Sequence, residues 1–129
     1  ITPLVLGQVL ERKGEFDVDD RFFGMRPFDR PVEGKKNNPM IPVAWLKNYQ
    51  HPDNGQQGVA FHTSMGSSTD LENEGLRRLV VNAVYYLLDR RIPNRGTKVD
   101  FVGDYKTSTY GFMGKEYWDN RGVKPIDLK

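Results

Sequence analysis

The chain holds 129 residues, enough for one small domain, and its 37% hydrophobic and 28% charged residues suit a globular protein and exclude wholesale disorder. Nineteen basic and seventeen acidic residues are interleaved to a net +2, so there is no basic stripe of the kind that binds nucleic acid. Cysteine is absent, which excludes disulfides, thiolate metal ligands and a cysteine nucleophile from these residues, and no window approaches the roughly 20 consecutive apolar residues of a membrane span.

In chain order, Pro3 to Val9 reads as a strand. Leu4, Val5, Leu6, Val9 and Leu10 form a near-continuous apolar run of the kind covered on both faces. Ile1 opens directly on this run, without a signal-peptide pattern. From Phe16 to Met40 no period holds, and Gly24, Pro27, Pro31, Gly34, Asn37-Asn38 and Pro39 punctuate a long loop. Loops beyond roughly 12–15 residues in compact domains are usually functional or mobile. Phe22, Phe23, Met25 and Phe28 are available to pin this one down.

Ile41 to Tyr49 reads as a second strand, with Val43, Trp45 and Tyr49 on one face. His51-Pro52-Asp53-Asn54-Gly55 is turn chemistry, and Gly58 to Met65 is a third strand paired with or neighbouring the second. Thr69-Asp70-Leu71-Glu72 fits a capping box. Leu76, Leu79, Val80, Ala83, Val84, Leu87 and Leu88 then recur at helical spacing until Pro93 and Gly96 stop the helix. Complete burial of that stripe would contribute roughly 10–15 kcal/mol before entropy. Val99 to Val102 reads as a short last strand or a packing segment. The remainder, with Tyr105, Tyr110, Phe112, Tyr117 and Trp118, reads as an extended arm that packs by its rings. One helix and three or four strands bury little core, so the expectation is that further helices and strands of the same domain lie upstream, or that a partner chain or second copy replaces them.

Three passages carry a family pattern: Pro42-Val43-Ala44-Trp45, Gly58-Val59-Ala60-Phe61-His62-Thr63-Ser64-Met65-Gly66, and Glu74-Gly75-Leu76-Arg77-Arg78-Leu79-Val80-Val81-Asn82-Ala83-Val84-Tyr85-Tyr86. In this order they resemble the end of a ThuA-like (trehalose-utilisation-type) domain. The resemblance covers Leu4 to about Arg91 and extends weakly through Val99–Gly103 and Gly122-Val123-Lys124-Pro125. It implies an α/β fold, the C-terminal part of a flavodoxin-like, class I glutamine amidotransferase-like three-layer sandwich with a mostly parallel sheet. Residues 1–102 would be the C-terminal half of that domain and residues 103–129 an extended tail. The passage from Pro31 to Met40 is similar to a subgroup of secreted bacterial proteins, which implies a periplasmic or secreted location. The family is linked to sugar metabolism, so the implied ligand is a carbohydrate. Many members carry Gly-His where this chain has Gly66-Ser67, which removes a general base or metal ligand from that position. Any nucleophile elbow of the amidotransferase type would lie outside these residues.

The segment Thr63 to Thr69 joins a strand's C-terminal end to a helix N-terminus, the edge where open α/β sheets bind ligands. Thr63, Ser64 and Ser67 are candidate ligand contacts there, and plain helix capping accounts for the same residues. Glu33, Lys35, Lys36, Asn37 and Asn38 place a carboxylate, two cations and two amides close together, a set able to bond sugar hydroxyls or simply a solvated turn. His62 is a candidate base, although a lone strand histidine is commonly a packed or surface residue. His51 sits in a turn, and two separate histidines do not make a metal site. Trp45 and Trp118 could stack on a sugar ring or on the core. Asp17, Asp19 and Asp20 lack the glycine and distal glutamate of a calcium loop. No cofactor motif is present. Two functions remain open: carbohydrate binding or catalysis, and a non-catalytic assembly module.

Overall fold

The computed structural model describes residues 1–108, 111 and 113–122. It is a small α/β fold. Strands β1 (Thr2–Gly7), β2 (Ile41–Gln50) and β3 (Gln57–Thr63) form one sheet in the order β1-β2-β3, followed by helices α1 (Glu74–Leu87) and α2 (Lys115–Arg121). Both strand pairs are antiparallel, where the resemblance implies a mostly parallel sheet. For β2 and β3 the physical reason is their connection. Its few residues close a tight turn in which the amides of His51 and Gly55 bond the carbonyls of Gln56 and His51, whereas a parallel crossover needs a dozen residues or more.

The register sorts the sheet into two faces. Ala44, paired with Val5 and Thr63, is fully buried. The other face carries Trp45 stacked on its partner His62, ring centroids 4.1 Å apart. Farther along, the Tyr49 ring lies over Gly58 so closely that a Cβ there would stand 2.4 Å from it. The expectation that β1 is covered on both faces does not hold among the described residues: Leu4 and Leu6 are 44% and 49% exposed. The helical stripe is likewise partly used. Leu76 and Ala83 are buried, while Val84 and Leu88 are about half exposed or more, so only part of the available burial energy is realised.

Two local expectations are corrected and one open alternative is decided. The capping box does not form: α1 begins after Asn73, whose Oδ1 accepts the Leu76 amide at 3.1 Å, and Asp70–Glu72 is one turn of 3-10 helix. The Asp70 carboxylate folds back onto the Gly66 and Ser67 amides, which shifts the true cap down the chain. Of the two readings of Val99 to Val102, a strand does not form and the packing segment stands. Val99 is buried, and the Arg77 guanidinium donates to its carbonyl at 2.8 Å. The tail is not wholly extended, since Lys115–Arg121 closes as α2 with an ion pair between Lys115 and Asp119 and a left-handed Gly122 at its end. Tyr110, Phe112 and Val123–Pro125 lie outside the described residues.

The long loop is organised by one amide. Asn37 Oδ1 accepts the Val9 amide at 2.7 Å, and its Nδ2 donates to the carbonyls of Val9 and Val32 at 2.8 and 2.7 Å. The side chain thus pairs with Val9 as a neighbouring strand's peptide would, beside the Leu10–Pro31 bridge.

Candidate functional site

The segment from Thr63 to Asn73 is the point on which distant parts of the chain converge. Inside it, Thr63 Oγ1 accepts the Met65 amide and Ser64 Oγ donates to the Val43 carbonyl. Ser67 Oγ accepts the Asp70 amide and lies 3.1 Å from Thr69 Oγ1. These hydroxyls therefore shape the turn. Asp70 Oδ2 accepts both the Gly66 amide at 3.0 Å and the Ser67 amide at 3.1 Å, and the Gly66 bond is the main cause that holds this carboxyl below its ordinary pKa.

From the long loop, Arg21 donates from Nη2 to the Thr69 carbonyl at 2.7 Å and sets Nη1 2.5 Å from Glu72 Oε2. From the tail, Thr107 donates to Glu72 Oε1 at 2.6 Å, Tyr105 donates to the Ser68 carbonyl at 2.8 Å, and the Ser108 amide donates to Ser68 Oγ. The Thr107 hydroxyl, aided by Arg21, lowers the Glu72 pKa. Arg77 braces the same turn from α1, donating to the Leu71 and Glu72 carbonyls and lying 3.9 Å over the Phe101 ring, which itself stacks on Tyr105.

Beside this hub is a cavity of about 600 Å³. Val5, Leu76, Leu79 and Phe22 line it with apolar groups, and Arg21, Thr69 and Asp70 line it with polar ones. Its position, where β3 leads into α1, is the edge that the sequence singles out. Its lining, however, differs from the predicted set. Thr63, Ser64 and Ser67 adjoin the cavity in sequence but do not line it, whereas Arg21, Phe22 and Asp70 do. Arg21 and Phe22 carry no local signal because the long loop brings them in from far up the chain.

The other predicted cluster lies elsewhere. Glu33 lines a separate cavity of about 610 Å³ with Val9, Glu11, Arg30 and Lys36, and pairs with Arg30 at 2.7 Å. Asn37 is committed to Val9 and Val32, and the side chains of Lys35 and Asn38 make no hydrogen bond among the described residues. The two cavities share no lining residue, so the structure does not bring the Glu33 and Ser67 clusters into one pocket. His62 stacks on Trp45, and Trp118 packs edge-on to Tyr117 and donates to the Met113 carbonyl. Among the described residues no three His, Asp or Glu side chains are grouped to hold a metal ion, and no helix is long and apolar enough to cross a membrane. Comparison with protein-family models, curated proteins and solved structures finds no match.

Proposed function

We propose that this chain is the C-terminal part of a ThuA-like domain, flavodoxin-like when complete, that holds a carbohydrate-type small molecule where β3 runs into α1. The observation that carries this reading is the cavity at that edge. Its volume of about 600 Å³ falls in the ordinary range for small-ligand sites, and its lining combines apolar side chains with a few polar ones. The order of the three sequence passages supports the family. The parallel strands of such a domain would pair along the outer edge of β1, which has no partner among the described residues, and its helices would cover Leu4 and Leu6. No reaction is assigned.

Saturation-transfer NMR of the chain with a panel of free mono- and disaccharides tests the reading. Transfer to sugar ring protons is the expected result, and its absence across the panel would overturn the ligand class.

A second reading, an assembly module, is favoured by the breadth of exposed apolar surface, including Ile1, Phe28 and Leu88 at 73%, 85% and 65%. Sedimentation velocity separates the two. A mass that is a multiple of 14.8 kDa and falls on dilution favours assembly, and a monomer at all concentrations removes it.

A further inference from the structure

We propose that the exposed turn between β2 and β3 is a site of self-modification, in which Asn54 loses its side-chain amide through attack by the Gly55 nitrogen. Asn54 is the one asparagine of the chain that is followed by glycine, and the whole turn from His51 to Gln57 is exposed. Gly55 holds a φ of +70°, and a Cβ there would meet only the Gln50 side-chain nitrogen within 4 Å, at 3.4 Å. No side chain of its own screens the Gly55 nitrogen. The other described asparagines lack this combination. Asn38 precedes Pro39, whose nitrogen carries no hydrogen. Asn82 lies within α1 and accepts the Thr97 hydroxyl, and Asn73 is committed to the Leu76 amide.

The turn also prepares the carbonyl that is attacked. Asn54 Oδ1 accepts the Gln56 amide at 3.0 Å. Negative charge gathers on that oxygen as the nitrogen bonds to Cγ, and a donor already in place stabilises it. Gly55 must first release its own bond to the His51 carbonyl at 3.0 Å, an opening that an exposed turn makes readily. Its nitrogen then loses a proton to solvent and bonds to Asn54 Cγ. The Cγ–Nδ2 bond breaks, and Nδ2 takes up a proton and leaves as ammonia. Water opens the resulting cyclic imide at either carbonyl, giving an ordinary aspartate or an isoaspartate. The sum consumes water, releases ammonia and needs no oxidant or reductant.

Both stages act on the hairpin. The imide nitrogen has no hydrogen, so the bond to the His51 carbonyl cannot re-form while the imide lasts. Isoaspartate then threads an extra methylene into the backbone of the turn and adds a carboxylate beside Asp53. Turn geometry sets the register of a hairpin. Pairing of β2 with β3 therefore loosens from the turn inward, at Gln50 with Gln57 before Ala44 with Thr63. The turn is a slow one-way device, independent of any ligand that the chain holds.

The test is incubation of the full chain in mildly alkaline buffer, with fragment-ion mass spectrometry to locate the converted residue and hydrogen exchange to follow the hairpin. The expected result is conversion at Asn54 roughly tenfold faster than at any other asparagine, with both aspartate forms as products. Gly55→Ala should slow it roughly tenfold, because a Cβ then screens the attacking nitrogen. If Gly55→Ala does not fold, the ranking of asparagines in the wild type decides the outcome alone. Exchange at Gln50 and Gln57 should rise as conversion proceeds, whereas Asn54→Ser, which cannot form the imide, should show no rise with time. Conversion of Asn48 or Asn94 as fast as Asn54, or conversion of Asn54 only when urea unfolds the chain, overturns the site. Conversion with no rise in exchange overturns the effect on the hairpin.

Discussion

Glu72 and Arg21 meet with Oε2 and Nη1 2.5 Å apart, and the other Glu72 oxygen accepts the Thr107 hydroxyl at 2.6 Å. One carboxylate therefore ties the long loop and the tail to the turn that precedes α1. Glu72→Gln keeps the size and removes the charge. The tail should then open more often, and trypsin should cut after the exposed Lys106 roughly two- to fivefold faster, as expected for the loss of one exposed ion pair. An unchanged cleavage rate would mean that Tyr105 and Ser108 hold the tail without Glu72.

Acid should weaken the same region. Asp70 is held below its ordinary pKa chiefly by the Gly66 amide, Glu72 chiefly by the Thr107 hydroxyl, and Asp20 chiefly by the Phe22 amide with Arg26 next. A carboxyl depressed on folding stabilises the fold fully above its unfolded value and loses that contribution as pH falls through its folded value. The urea midpoint should be level from pH 7 to about 5 and decline below about 4. Asp70→Asn should shallow the decline. A midpoint that is the same at pH 5 and pH 3 would contradict the assignment.

The helix start can be tested by two alanines. Asn73→Ala removes the bond to the Leu76 amide and should cost about 1 kcal/mol in denaturant unfolding. Thr69→Ala should cost less, because Thr69 caps nothing through its side chain. The reverse order would restore the capping box.

Asn37→Ala breaks three bonds to Val9 and Val32 and should destabilise by about 2 kcal/mol. Asn37→Asp keeps the acceptor for Val9 and loses both donors, so it should not rescue. Equal unfolding midpoints for wild type and Asn37→Ala would show the loop to be held by other contacts.

Two glycines with nearly equal φ separate strain from crowding. At Gly24, φ is +84° and a Cβ would stand 2.0 Å from the Glu15 carbonyl oxygen; at Gly34, φ is +83° and the space is open. Gly34→Ala should cost about 1 kcal/mol for the left-handed backbone alone, and Gly24→Ala distinctly more. Thermal unfolding of the pair measures the difference.

What was legible in the residues follows from the range of the forces involved. The β2–β3 hairpin was readable because Pro52-Asp53-Asn54-Gly55 specifies a turn locally and Val59, Phe61 and Thr63 alternate beside it. The spacing from Leu76 to Leu88 was readable because helical neighbours lie three and four residues apart. The start of α1 was misplaced because Thr69 and Asn73 are both good caps. The choice between them depends on where the Asp70 carboxylate turns, which composition does not encode.

The site divides in the same way. The residues alone marked the edge as Thr63 to Thr69, a strand end running into a helix start, since both elements are products of local period and propensity; the structure extends it to Asn73. Which side chains stand there was settled by long-range packing. Arg21, Phe22, Tyr105 and Thr107 arrive from the long loop and the tail through contacts between residues far apart in the chain. Such contacts are selected by shape and charge once the chain has folded, and no short-range pattern registers them.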